Sequence, residues 1–496
     1  MRNRFKSALH LDAKSIGSIK IDTKSRHELP QLLAGLQYIF VTPELNSSVF
    51  EILELSIYSK QNHTGRKGMS LWEILVMGVI RLNLDTDYDT LHDLVNNHIT
   101  VRGILGVHTT AVFEQGKYYH LQTLKDNVKL LDESTLEQIS TEVVKAGHKL
   151  KKKESEQDED IELELKSDSY AVESNIHFPT DLNLLWDSAR KCIDTISLIK
   201  SEMHLTGWRK VNVWQKKLKN IYRKTSNIHQ KKGANYQERL QESTKEYIGL
   251  CRKIDTKIEI SLSEIKGSSS IKVVILENQL RYYKRMLIKH IDLVNRRILQ
   301  GEKIPHSEKI FSIFEPHVEW IQKGKAGNKV ELGHNTLITT DQHHFIIDHL
   351  VMVGQTDSQQ PITLLHRLIE KYSGGYSLKS ISFDRGFYSK LSKEELSKKV
   401  SKVIMPSKGR PSKKRTKHTR TQLEKELSNR HCAVESNINE LEHSGVNKVP
   451  DKGLTGFKKY VAMGVLAYNI KRLGRIVIQK NLVIQLKIKP RLRCAA

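Results

Sequence analysis

Three acidic residues stand on separate predicted elements in positions where metal-dependent phosphate chemistry could use them. Asp168 lies on the polar face of a predicted strand, Asp384 closes another strand directly before Arg385-Gly386, and Glu435 lies on a predicted helix around 424–443. Carboxylates brought together from separate elements of one sheet domain suit a pair of hard cations about 3.5–4 Å apart. Such ions take oxygen ligands, activate a water and stabilise the leaving oxygen of a phosphodiester. Composition does not select these three from 56 Asp and Glu, most of which must be solvated surface groups. On the Glu435 helix, Glu440 and Glu442 compete. At 100° per residue, Leu427, Val434, Ile438 and Leu441 form one apolar stripe. Glu435 and Glu442 flank it, while Glu440 points away and is expected in solvent. Glu435 and Glu442 are two turns apart, roughly 10 Å along the axis, so one metal cannot take both, and helical geometry does not choose between them.

Cationic residues form two groups. From His204 to Tyr236 there is no acid; Arg209, Lys210, Lys216, Lys217, Lys219, Arg223 and Lys224 are interleaved there with Trp208, Trp214 and Tyr222. Cations neutralise phosphates and aromatic rings stack on unpaired bases. The same rings also continue an apolar stripe with Val211, Leu218 and Ile221, which reads equally as the buried face of an amphipathic helix. The second group is the run 408–420, with Lys413, Lys414 and Arg415 at its centre, just before the Glu435 helix; Arg385 adds a cation beside Asp384. The pair His343-His344 falls in a presumed hairpin turn and reads as plain surface. No HExxH, no GxxxxGK[ST] and no arguable covalent nucleophile is present, which leaves zinc hydrolysis, ATP-driven work and covalent recombination without support.

The elements that must position these residues can be read along the chain. The 496 residues carry a net charge of +25 and a pI near 9.6, which favours a polyanionic partner, most often nucleic acid. The length suggests about three domains. No apolar stretch approaches the roughly 20 residues of a membrane span, no secretory h-region follows the N-terminus, and four scattered cysteines exclude a disulfide framework. A soluble cytoplasmic protein is expected. Residues 1–150 read as an N-terminal helical domain, with capping boxes at Ser70–Glu73 and Ser134–Glu137, the second opening a helix that ends near Gly147. Residues 151–160 read as a charged linker. Period-2 alternation begins at Ile161. A basic helical insertion is expected over 182–305, and strands at 330–332, 336–340, 345–353, 378–383 and 400–405 surround a helix at 362–372. The sheet domain is thus expected over 161–181 and 306–475, with a basic C-terminal tail at 476–496. This is a mixed α+β or α/β class, a mixed sheet interrupted by a long helical insertion.

The wording of several blocks resembles the DDE transposases of bacterial insertion sequences, and most of all the group called ISNCY. Asp168-Ser-Tyr-Ala-Val-Glu-Ser-Asn-Ile-His-Phe-Pro-Thr-Asp181 looks like their first catalytic block and Ser382-Phe-Asp384-Arg-Gly-Phe-Tyr388 like the second. Glu435-Ser-Asn-Ile-Asn-Glu-Leu-Glu442, followed by Gly453–Tyr460 and Asn469–Leu473, looks like the third; it is this resemblance that selects Glu435. Ser312–Lys325 matches a linking segment and Gly65–Leu75 the N-terminal helical domain. Unlike some relatives, the helix has no tyrosine before Glu435 and carries Glu442 where they have lysine.

The resemblance implies an RNase H-like catalytic domain in which Asp168, Asp384 and Glu435 hold two Mg²⁺ ions, with Mn²⁺ able to substitute. It implies a DNA transposase that cuts at element ends and joins the freed 3′-OH to target DNA. Its partners would be double-stranded DNA, at element ends and target, and further copies of itself in a homodimer or larger homo-oligomer. The N-terminal domain would aid end recognition or subunit pairing, and the protein would act at the bacterial nucleoid, with no membrane and no nucleotide cofactor. Two other readings use the same residues: a non-catalytic DNA-binding protein (a regulator or a decayed transposase copy), and a nuclease that cuts without joining.

Overall fold

The period-2 stretch that opens at Ile161 becomes the central strand of a mixed sheet. The computed structural model describes residues 2–5, 14–58, 68–107, 117–152, 160–322, 330–407, 426 and 429–493, the last twelve by backbone only. Strand β1 (Ile161–Ser174) continues well beyond its alternating first half. The other strands are β2 (Glu319–Gln322), β3 (Val330–Thr340), β4 (Ile346–Val351), β5 (Tyr376–Phe383), β6 (Lys402–Ile404) and β7 (Lys448–Val449). On one side β1 runs antiparallel to β3, with Asp168 opposite Ile338, and β3 turns back into antiparallel β4. On the other side β5 lies parallel to β1, with Ser167 opposite Phe383, and β6 lies parallel to β5. β2 also pairs with β3, and β7 with the end of β1. The chain passes from β4 to β5 through helix α12 (Gln360–Lys371), the kind of crossover that a change of sheet neighbour requires.

Two expected strands, 330–332 and 336–340, are one. The backbone passes straight through Gly333, where a Cβ would lie 1.8 Å from the Val172 carbonyl oxygen. Only glycine lets β3 approach β1 so closely there.

Around the sheet pack α1 (Glu28–Val41), α2 (Pro43–Tyr58), α3 (Leu71–Asn83), α4 (Tyr88–Asn97), α5 (Ile99–Ile104), α6 (Leu121–Val128), α7 (Glu133–Lys151), α13 (Lys390–Ser397), α14 (Cys432–Leu441) and α15 (Gly453–Arg493). Every residue of α3 is buried, and the Ser70/Glu73 capping box closes its N-terminus. The box expected at Ser134–Glu137 does not form. Asp132 caps α7 instead, accepting from the Thr135 N–H at 2.8 Å, and Glu137 faces Arg367 and Lys371. Nor does Gly147 end that helix, which runs on to Lys151; the absent side chain makes room for the Phe345 ring. The helices before β1 share one apolar core with the sheet. The turn 341–344 is not plain surface: Asp341 is fully buried against His148 at 2.5 Å, His343 is half-buried, and His344 contacts Asn437.

The chain divides into two compact units, one of Met1–Asn175 with Ile321–Ala496, the other Ile176–Trp320. In the second, α8 (Asp181–Glu202), α9 (Val211–Lys231), α10 (Tyr236–Ile265) and α11 (Ile271–Val294) pack around their own core, which includes Trp208, Cys192 and Cys251. Thr180 and Asn183 form a capping box at the start of α8. α15 remains helical to Arg493, through most of the stretch expected as a tail. Lys413, Lys414 and Arg415 with the rest of 408–420, linker residues 153–159, 65–67, 323–325, Leu427 and the final residues 494–496 lie outside the described residues. Among the described residues, no helix is long and apolar enough to cross a membrane.

Glu440 overturns its sequence-based placement in solvent. α14 turns it toward α15, where its carboxylate meets Lys471 at 2.9 Å and Arg475 at 2.8 Å. The Lys471 side chain is 1% exposed and also reaches Glu28 of α1 at 3.0 Å. Burial opposes ionisation of Glu440, yet Lys471 and Arg475 outweigh it and hold the carboxyl below its usual range. Glu440→Gln removes a charge from a buried ion network, so a loss of about 1–3 kcal/mol in unfolding free energy is expected. Chemical denaturation of the purified variant measures it; an unchanged midpoint would show that Glu28 alone satisfies Lys471.

Candidate active site

β1 and β5 run parallel in register, with Ser167 beside Phe383. The next residue on each strand is an aspartate, so Asp168 and Asp384 emerge side by side. Asp168 is half-buried and Asp384 exposed. Asp168 accepts from the Ser169 N–H at 2.7 Å. Asp384 precedes the short 3₁₀ turn Arg385–Phe387, but its side chain caps nothing, so a purely structural turn-capping role is not seen. Glu435 sits in the first turn of α14 and is exposed.

Electrostatics tie the three acids together. Burial pushes the Asp168 carboxyl up to about 6; the Ser169 N–H pulls the other way, and the charges of Asp384, Glu435 and Asp357 add to the rise. His431, just before α14, is half-buried and receives or gives a hydrogen bond to Ser382 Oγ at 3.0 Å. Burial lowers its pKa, while Asp384 and Glu435 oppose that shift. Ser382, Asp384, Arg385 and His431 line a cavity of about 180 Å³. Asp384 and Glu435 therefore both lie within electrostatic reach of Asp168. Arg385 is exposed beside them.

Asp357 is the residue that sequence reasoning missed. It opens a 3₁₀ turn ahead of α12 and accepts from Ser169 Oγ at 2.8 Å. Its Oδ2 lies 3.0 Å from the point where a Cβ on Gly386 would stand, so the glycine after Arg385 leaves room for this fourth carboxylate. Nothing in Thr356-Asp-Ser-Gln359 marks it beyond an ordinary capping pattern. Glu442 is not in the cluster. The helix widens into a π turn at Glu442–Val446, a uniform 100° step no longer applies, and the Glu442 charge acts on Tyr170 instead.

The donor set fits hard cations in kind. All four groups are carboxylates, and among the described residues neither Asp384 nor Glu435 takes a hydrogen bond or an ion pair. Their spacing is wide: among the described residues no three His, Cys, Asp or Glu side chains are grouped closely enough to hold a metal ion.

In the second unit, Arg209, Lys210, Lys216, Lys217, Lys219 and Arg223 are exposed, whereas Lys224 is paired to Glu246 at 2.8 Å. The aromatic residues between them belong to the core. Trp208 is fully buried and donates to Ser261 Oγ at 2.8 Å, Trp214 is half-buried in edge contact with it, and Tyr222 stacks on Trp186 with centroids 5.2 Å apart.

An acid raised from 3.8 to about 6 keeps its proton in the folded chain where the unfolded chain has released it. Its contribution to stability is therefore full at low pH and falls as pH rises through that window. Asp168→Asn removes the charge without changing shape. In the absence of divalent ions, the variant is expected to melt above the parent protein near neutral pH, with the advantage shrinking toward about pH 4. Thermal unfolding across that range checks it; no advantage near neutral pH would mean that the carboxylates do not strain the fold.

No family model matches the sequence, and neither a curated protein nor a solved structure matches it.

Proposed function

We propose that this chain is a metal-dependent DNA transposase of the DDE type, its mixed sheet an RNase H-like core and Asp168, Asp384 and Glu435 its catalytic acids. One observation supports the reading: the charges of Asp384 and Glu435 both act on the half-buried Asp168 carboxyl, and none of the three carboxylates has an ion-pair partner among the described residues. A protein that only bound DNA would gain nothing from such repulsion. Divalent cations, two Mg²⁺ or Mn²⁺ per site, would supply an activated water and neutralise the leaving oxygen. Asp168 and Asp384 fix the position between adjacent strands, and Glu435 closes it from α14. Ser169 orients Asp168 through its N–H and Asp357 through its hydroxyl. Arg385 offers a cation to the phosphate beside the scissile bond. Cutting frees a 3′-OH that attacks a phosphodiester of target DNA, with exchange of one ester bond for another. Joining two ends requires at least two copies, hence a homodimer or larger homo-oligomer on DNA at the nucleoid. The exposed lysines of α9 hold flanking duplex.

Asp384→Ala and Glu435→Gln should each abolish cutting of an end-containing duplex and leave its binding within a few-fold. Activity should need Mg²⁺ or Mn²⁺, and Ca²⁺ should support binding with little cutting, since it tolerates looser coordination. Scoring one incubation for both cutting and strand joining separates a transposase from a nuclease. Full activity of Asp384→Ala, or of the parent protein in excess EDTA, would remove the metal site from the mechanism.

The lysine face gives its own test. Charge reversal of Lys216, Lys217 and Lys219 together should lower the salt dependence of DNA binding by about 1–3 units of log–log slope. An unchanged slope would make α9 a solvated face and nothing more.

A further inference from the structure

The unit Ile176–Trp320 contains a cavity of about 350 Å³ that none of the chemistry above uses. Its size lies at the lower end of small-ligand pockets. Phe178, Phe311 and Trp320 supply aromatic walls: Trp320 meets Phe178 at 5.8 Å between centroids and Phe311 at 5.4 Å. Phe178 is 59% exposed, yet its backbone is fixed, because its carbonyl accepts from Asn183 Nδ2 at 2.9 Å and Asn183 also closes the Thr180 cap. The backbone that carries this ring is thus anchored at the rim. The Trp320 indole N–H is buried and finds no acceptor among the described residues.

The charge around the cavity is positive. Asp181 is the carboxylate in its lining, and Arg297 pairs with it. Half-buried Lys309 has no carboxylate within ion-pair distance among the described residues, and exposed His229 completes the rim. Flat π faces beside a lysine that no carboxylate pairs among the described residues suit a ligand that is itself aromatic and anionic, and the cavity is too small for a base pair. We propose that it binds one unpaired nucleotide, the base against Phe178 and Trp320 and the phosphate at Lys309 and Arg297. The inference rests on the DNA-directed function above only for the nature of the polymer.

The test uses the full chain in EDTA, so that nothing is cut and the acid site plays no part. 2-Aminopurine is placed in a single-stranded tail of a duplex, in the same duplex fully paired, and in the free deoxynucleotide monophosphate. The unpaired base should be quenched on binding. Phe178→Ala should weaken that binding about tenfold, as expected for loss of one stacking ring, and Phe178→Leu, which keeps apolar area but no π face, should not restore it. Lys309→Gln should weaken it and reduce its salt dependence. Quenching of the tail alone assigns the ligand to a DNA strand, and equal quenching of the monophosphate assigns it to a free nucleotide; either supports the site. Absence of quenching, full restoration by Phe178→Leu, or equal loss with paired duplex would overturn it. Asp384→Ala should behave as the parent protein, so failure here and failure of the catalytic reading are distinguishable.

Discussion

The half-burial of the Asp168 carboxyl on β1, next to an aspartate at the end of the neighbouring parallel strand, is the constraint on which the candidate site depends. The pairing of Ser167 with Phe383 makes the next residues, Asp168 and Asp384, neighbours. Asp357 is held 2.8 Å from Ser169 Oγ, and Glu435 adds its charge from α14. Burial there opposes ionisation of Asp168 and the neighbouring charges add to that cost, so other contacts must hold β1 in place. Those contacts are visible: β1 is clamped by β3 at Gly333, and its apolar residues Leu163, Leu165 and Val172 are buried in the core shared with the helices.

Asp168 stands out because several buried acids in the same unit are matched. Asp348 is fully buried yet held below its usual range, Lys371 and Arg367 outweighing the cost of burial. Glu73 meets Lys117 and Tyr119, and Asp341 meets His148; both carboxyls are also lowered against the effect of burial. Glu440 follows the same rule through Lys471. A chain with 81 Lys and Arg has ample cations to neutralise a carboxylate where stability is all that matters. Half-buried Asp168 has no such cation within ion-pair distance among the described residues, and a divalent cation would relieve the cost of its charge.

How legible the fold was depended on how local its causes are. The Ser70 cap and α3 were legible because both rest on residues within one turn. β1 was legible where one of its faces is solvated and lost where both are buried, since alternation disappears there. Ser134–Glu137 had the right letters, but Asp132 offers a carboxylate cap two residues earlier, and Glu137 has distant partners in Arg367 and Lys371 that no local pattern announces. Glu440 was misplaced for the same reason: helical phase gives a direction, not the neighbour waiting there. Asp168, Asp384 and Glu435 came from motif resemblance and Asp357 from neither route, because its relation to Ser169 exists only once β1 and the loop before α12 are folded.

The same constraint bears on where the unpaired cations of this protein can serve the proposed function. A carboxylate cluster repels phosphate, so on the proposed function the attraction for DNA must come from elsewhere in a chain of charge +25. Lysines placed within ion-pair reach of the cluster would neutralise it, as Lys471 does Glu440. The acid-free stretch 204–236 avoids this by gathering its cations on one helix of the other unit, where Lys216, Lys217, Lys219 and Arg223 stay exposed while Leu218 and Ile221 face that unit's core. Lys224, already paired to Glu246, shows what happens when an acid does come within reach: its charge is spent on the fold. On the proposed function, attraction would fall to one unit and catalysis to the other, each surface keeping the charge its task requires.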